Sequence, residues 1–263
     1  MSNKVPEATL VFWAIKIMAT TVGETGADYL AVHVGLGTAL TGGMMLVLLL
    51  AALVAQLRMR HYVPWIYWLT VVLVSVVGTQ ITDALTDQLG VSLYASTIAF
   101  ALALAIVFGL WYRSERTLSI HTINTTRREL FYWSAILCTF ALGTAAGDLA
   151  TEALGLGFMI GAVVFGALIA LVSAAFYAGA NPVLTFWLAY ILTRPLGASL
   201  GDLLAQPRAY GGIGLGVIDT SLLFLSAIVA LVVYVSTVEQ RALQLRAAAA
   251  RNLNPQRSKR QIR

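Results

Sequence analysis

The sequence predicts an all-α polytopic membrane protein, with eight transmembrane helices built from four two-helix repeats. Three observations predict it. The chain is 59% hydrophobic and only 11% charged, whereas soluble domains carry about 25% charged residues. It contains eight apolar stretches, several meeting the expectation of about 20 residues for a membrane span. It also repeats one pattern four times, and repeats must be read before anything else.

The repeat is carried by three residues at fixed spacing. They are Trp13/Gly23/Asp28, Trp68/Gly78/Asp83, Trp133/Gly143/Asp148 and Trp187/Gly197/Asp202. A second aromatic precedes each Trp: Phe12, Tyr67, Tyr132 and Phe186. A glycine-bearing turn follows each Asp. In chain order the expected spans are 9–32, 36–57, 64–86, 92–112, 130–152, 157–178, 183–205 and 217–238. The odd spans carry the pattern. The even spans are plainer and read as packing and lipid-facing helices, with Gly42, Gly43, Gly161 and Gly166 offered as flat contact surfaces. The repeats therefore run over about 9–60, 64–112, 130–178 and 183–238 within a single membrane domain, 1–240. A basic tail, 241–263, follows it; its first part suits a helix. Asp219, Thr220 and Ser221 are expected to cap the last helix.

Basic residues set the expected orientation. If eight helices alternate, the N-terminus, the 58–62 loop, the 113–128 loop and the tail share one side. That side holds Lys4, both loops' arginines and seven basic residues of the tail, fourteen of the 17 Lys and Arg in all. The positive-inside rule then places both termini in the cytoplasm of a bacterial inner membrane. The aromatic pairs are expected to form a belt at that interface. Successive units enter the membrane in the same direction, so they are parallel repeats about an axis along the membrane normal. Four units around one axis, or two halves, both fit that symmetry.

Counting from each Trp, positions +7, +11 and +15 make one helical stripe. The stripe is Thr20, Glu24 and Asp28 in the first odd helix, with Lys16 one turn below. In the others it is Ser75, Thr79 and Asp83; Phe140, Thr144 and Asp148; and Arg194, Ala198 and Asp202. Ionisable groups at membrane depth are costly and mark functional sites by default. The acids Glu24, Asp28, Asp83, Asp148 and Asp202 outnumber the bases Lys16 and Arg194. Such an imbalance calls for bound cations, shared protons or water. Carboxylates with the hydroxyls of Thr20, Thr79 and Thr144 form a hard oxygen environment that suits Mn²⁺, Mg²⁺, Ca²⁺, Na⁺ or protons. Arg194 keeps its charge and needs a carboxylate partner. It reads as a counter-ion to the site, or as half of a permanent structural pair. Lys16 either joins it or snorkels to the interface.

The pattern FW-x2-K-x6-GE-x3-D at Phe12 to Asp28, with LTRPLGASLGD at Leu192 to Asp202, resembles a small family of bacterial multi-repeat integral membrane proteins. The resemblance implies the topology and assigns no activity. GETGAD, Gly23 to Asp28, is also similar to the acidic helix motifs of duplicated Mn²⁺ or Ca²⁺ exporters.

One cysteine, Cys138, excludes a disulfide framework and a thiolate metal cluster. The three histidines, His33, His61 and His121, fall at loops or span ends. No nucleophile–base pair or nucleotide motif argues for an enzyme. The leading expectation is a transporter exporting a small cation, a divalent metal such as Mn²⁺, through a central acidic site. In this reading Glu24, Asp28, Asp83, Asp148 and Asp202 are the metal ligands. The expected partners are the lipid bilayer, the cation as substrate, no nucleic acid, no tightly bound cofactor, and a second copy in a homodimer. The competing expectation is a sensor or scaffold that does not transport, with the polar stripes as packing glue.

Overall fold

The computed structural model describes residues 3–28 and 37–253. It contains eight α-helices and, among the described residues, no strand. They are α1 (Leu10–Asp28), α2 (Thr38–Arg58), α3 (Pro64–Asp83), α4 (Leu93–Glu115), α5 (Thr126–Asp148), α6 (Gly157–Tyr177), α7 (Pro182–Ala205) and α8 (Val217–Leu253). Start signals are local. Ser92, Thr125 and Asn181 each accept a backbone N–H from the first turn of the helix that follows, satisfying donors that have no partner within the helix. Pro64 and Pro182 occupy first-turn positions, where a missing N–H costs nothing.

Seven of these helices are long and apolar enough to cross a membrane. The other, α1, carries Lys16, Glu24 and Asp28 within 19 residues. It tolerates them because α3, α7 and α8 pack around it and keep its polar face from lipid. The chain is a multi-pass, all-α membrane protein.

The four odd helices form a closed ring: α1 against α3, α3 against α5, α5 against α7, and α7 against α1. Each even helix leaves its own unit and packs on the odd helix of the next, α2 on α3, α4 on α5, α6 on α7 and α8 on α1. The inner and outer helices thus advance in one rotational sense. The outer faces of the even helices are apolar and exposed, as lipid-facing surfaces should be.

The repeat residues make the ring close. The glycine at +10 of each odd helix receives the residue at +7 of the next. A Cβ at Gly23 would lie 2.6 Å from Ser75 Cβ, and one at Gly78 would lie 2.7 Å from Phe140 Cβ. At Gly143 it would meet Arg194 Cβ at 2.5 Å, and at Gly197 it would meet Thr20 Cβ at 2.7 Å. No side chain fits in those gaps, which is why all four positions are glycine. At the N-terminal ends the first aromatic of each unit meets the Trp of the next. Ring centroids are 5.4 Å apart for Phe12–Trp68, 5.5 Å for Tyr67–Trp133, 6.2 Å for Tyr132–Trp187 and 5.6 Å for Phe186–Trp13.

Several expectations are corrected here. The aromatic pairs are no interfacial belt; seven of the eight are buried, plugging one end of the ring. Of the four glycines expected at flat contacts, Gly161 alone is crowded, by Thr151 and Ser199, while Gly43 and Gly166 have nothing near. Asp219 is the third residue of α8 rather than its cap. The first part of the basic tail is helical, as expected, and continues the last span beyond 238 as one helix to Leu253. The turn after Asp28, including His33, and the end of the tail lie outside the described residues.

Candidate functional site

The stripe at +3, +7, +11 and +15 faces the inside of the ring, layer by layer. The first layer is Lys16, Val71, Ile136 and Tyr190, all fully buried. Above it lie Thr20, Ser75, Phe140 and Arg194, also fully buried. The third layer is Glu24, Thr79, Thr144 and Ala198, of which Glu24 alone is half-buried. Asp83, Asp148 and Asp202 form the last layer and are half-buried. Asp28 closes α1 at the same level, but its side chain lies outside the described residues. The ring is thus shut at the aromatic end and opens toward the aspartates.

Arg194 occupies the centre. Its stem rests in the notch of Gly143 on α5. Its guanidinium donates to Glu24 Oε2 on α1 at 2.5 Å and to the Thr79 hydroxyl on α3. A third, longer bond goes to the Thr20 carbonyl at 3.4 Å. α7 neighbours α5 and α1 in the ring, so reaching Thr79 means crossing the axis. The following residue, Pro195, supplies no N–H to the helix and packs against Gly143 and Gly147. Backbone oxygens of α7 at this level also accept from α1: Thr20 donates to the Thr193 carbonyl and Thr21 to the Gly197 carbonyl.

Lys16 does not snorkel. Its ammonium lies 4.2 Å from the Phe140 ring centre and 4.3 Å from that of Tyr190. It makes no hydrogen bond. Attraction to two ring faces is what holds it.

Asp148 interacts electrostatically with Glu24, Glu152, Arg194 and Asp83, which brings acids of α1, α3 and α5 to one region. Immediately after Asp83 and after Asp148 the helix widens into a π-turn, Ala84–Gln88 and Leu149–Ala153. Two residues after each turn stands a left-handed glycine, Gly90 (φ 67°) and Gly155 (φ 68°), a conformation that costs glycine little. Such turns interrupt regular helix and recur at functional sites. Asp87 and Glu152 sit on them, exposed.

Other polar groups of the odd helices turn to their own helix or to the even helices. Thr144 spends its hydroxyl on the Phe140 carbonyl of its own helix. Gln80 is buried toward Gly42 on α2, and Ser199 toward Gly161 on α6. Among the described residues no three Asp, Glu, His or Cys side chains gather closely enough to form a metal-holding group.

Two features escaped sequence reasoning. Tyr190 holds the +3 position of its unit, the counterpart of Lys16, and extending the stripe one turn down would have found it. Glu129 is buried and carries a charge at the other end of the molecule. Lys4 reaches it at 2.6 Å, and Gln56 adds a bond at 3.2 Å. Lys4, counted in the sequence among the basic residues of one side, is buried, and with it the N-terminal segment is fastened over the aromatic end.

A family described as "Repeat of Unknown Function (DUF347)" matches residues 11–62, 66–117, 131–179 and 185–241. These are the four units seen in the ring. No curated protein and no solved structure matches the chain.

Proposed function

The chain belongs to the DUF347 repeat family, whose description assigns no activity, and from the ring interior we propose that it moves a small cation across the membrane. One observation carries this reading. The stripe already holds a cation, the Arg194 guanidinium, on Glu24 and Thr79 drawn from two other helices. A tethered cation in that place neutralises the site when it is empty and leaves it when a free cation binds. Asp83 and Asp148, at the open end, would gather the incoming ion. Carboxylate and hydroxyl oxygens suit a hard divalent ion such as Mn²⁺.

In this proposal the aromatic end faces the cytoplasm of a bacterial inner membrane, since the basic loops and tail lie on that side. The closed aromatic plug then acts as the inner gate, and export requires it to part. The same plug favours one other reading, a sensor or scaffold whose ring never opens.

Flux separates the two. Purified protein in liposomes with an entrapped dye quenched by Mn²⁺ should admit Mn²⁺, and Glu24→Gln should not. Wild-type flux from a well-folded Glu24→Gln protein would remove the proposed site. No flux of any cation by the wild type would leave the scaffold.

A further inference from the structure

Lys16 is one of only three lysines, with Lys4 and Lys259. Lys4 is paired with Glu129. Lys16 is fully buried, without a carboxylate or any hydrogen-bond partner. The charged or titratable groups facing it come from α7, namely Arg194 above and Tyr190 beside it. From α5 it meets the Phe140 ring, and on its own helix Glu24 lies two turns away, held by Arg194. That acid is committed to a different cation. An amine so placed gains no ion pair from keeping its charge, and burial without a partner penalises the charge.

Beneath Lys16 lies a run of buried phenols. The Tyr190 hydroxyl has no partner and interacts electrostatically with Tyr67 and Tyr132. The Tyr67 and Tyr132 hydroxyls are 2.5 Å apart, a bond in which either can donate. The Tyr62 ring meets the Tyr67 ring at 5.6 Å. Its buried hydroxyl also lacks a partner, and it lies near Glu239 on α8, at the aromatic face. Burial pushes the Tyr62 phenol up, so it stays a neutral hydroxyl. None of these hydroxyls bonds the Lys16 amine, so the phenols give its charge no partner either.

We infer that Lys16 is a proton-binding site inside the ring, one layer below Arg194. One proton from water adds to the amine lone pair, and the same proton returns to water on release. The use of that proton, to drive cation movement in the opposite direction, rests on the transport reading; the site itself does not. When Arg194 leaves Glu24, charge on the axis rearranges beside Lys16, and proton release there would balance it.

Lysine labelled with ¹⁵N at the side chain reports protonation directly in nanodiscs. The Lys16 signal is assigned by its loss in Lys16→Met. It should pass reversibly between ammonium and amine over the pH range in which the protein stays folded. A signal that stays ammonium throughout overturns the site. In liposomes with entrapped pyranine, an imposed Mn²⁺ gradient should move protons in the wild type. Lys16→Met should lose the proton movement. Proton movement retained in Lys16→Met overturns the coupling. A wild type whose Lys16 titrates but which moves no Mn²⁺ supports the proton site and sinks the transport reading alone.

Discussion

Gly143 and Arg194 occupy one space: a Cβ on the glycine would come within 2.5 Å of the arginine's Cβ. The same notch recurs at Gly23, Gly78 and Gly197, each filled by the +7 residue of the next unit. Gly143→Ala should therefore overpack the ring and cost about 1–3 kcal/mol. Gly166→Ala, on a lipid-facing surface with nothing near, should be neutral or stabilising, since alanine is the better helix former. Thermal melts in detergent compare the two. Equal melting temperatures would mean that the glycines do not set the inter-helix distance.

The buried pair of Lys4 and Glu129 makes a second prediction. Their side chains are 8% and 1% exposed, and Gln56 and the Leu57 carbonyl complete the cluster. Lys4→Met leaves the Glu129 charge buried and unpaired, a loss of about 3–5 kcal/mol by analogy with other broken buried pairs. Lys4→Met with Glu129→Gln should recover part of it, because the orphaned charge is gone. Protease cleavage in the 116–125 loop, which the N-terminal segment covers through Asn3 and Lys4, should speed up in the single variant. Cleavage at the wild-type rate would argue that the segment fastens nothing.

Topology gives a third. His121 and Ala209 are exposed and lie at opposite ends of the ring helices. With Cys138 replaced by Ser, His121→Cys and Ala209→Cys should label from opposite sides of sealed vesicles. The cytoplasmic reading of the aromatic end adds that His121→Cys labels from the inside. Labelling of both from one side would break the alternation of eight spans.

Much of this was legible in the sequence, for a physical reason. Trp, Gly and Asp at fixed spacing report one helix made four times, and basic residues confined to alternate loops report the alternation of spans. Ring closure was not legible. Spacing within a helix says nothing about which neighbour fills the notch of Gly23, so a ring and two halves stayed equivalent until Ser75 and Thr20 were seen in place. The aromatic pairs misled for the same reason, since Tyr67 and Tyr132 look alike in sequence whether they face lipid or each other. Lys4 and Glu129 lie 125 residues apart, and no local pattern links them. The π-turns after Asp83 and Asp148 also leave no periodic trace, because the sequence there remains an ordinary helical one.

The last prediction concerns what Arg194 does. Two roles share its geometry: a permanent structural tie, or a cation that yields its place. The roles part when the charge is removed. Arg194→Gln keeps some hydrogen bonding and deletes the cation, leaving Glu24, whose side chain is 13% exposed, close to Asp148 without compensation. The variant should melt lower than wild type in either role, since a buried acid has lost its partner. If Arg194 holds the site of a transported cation, Mn²⁺ now enters it without a competitor. Saturating Mn²⁺ should then raise the melting temperature of Arg194→Gln more than that of the wild type. A ligand at a hundred times its dissociation constant adds about 2.7 kcal/mol, enough to restore much of the loss. Glu24→Gln in the same background should abolish the rescue. A structural tie makes the opposite forecast, in which Arg194→Gln is unstable and Mn²⁺ helps it no more than it helps the wild type.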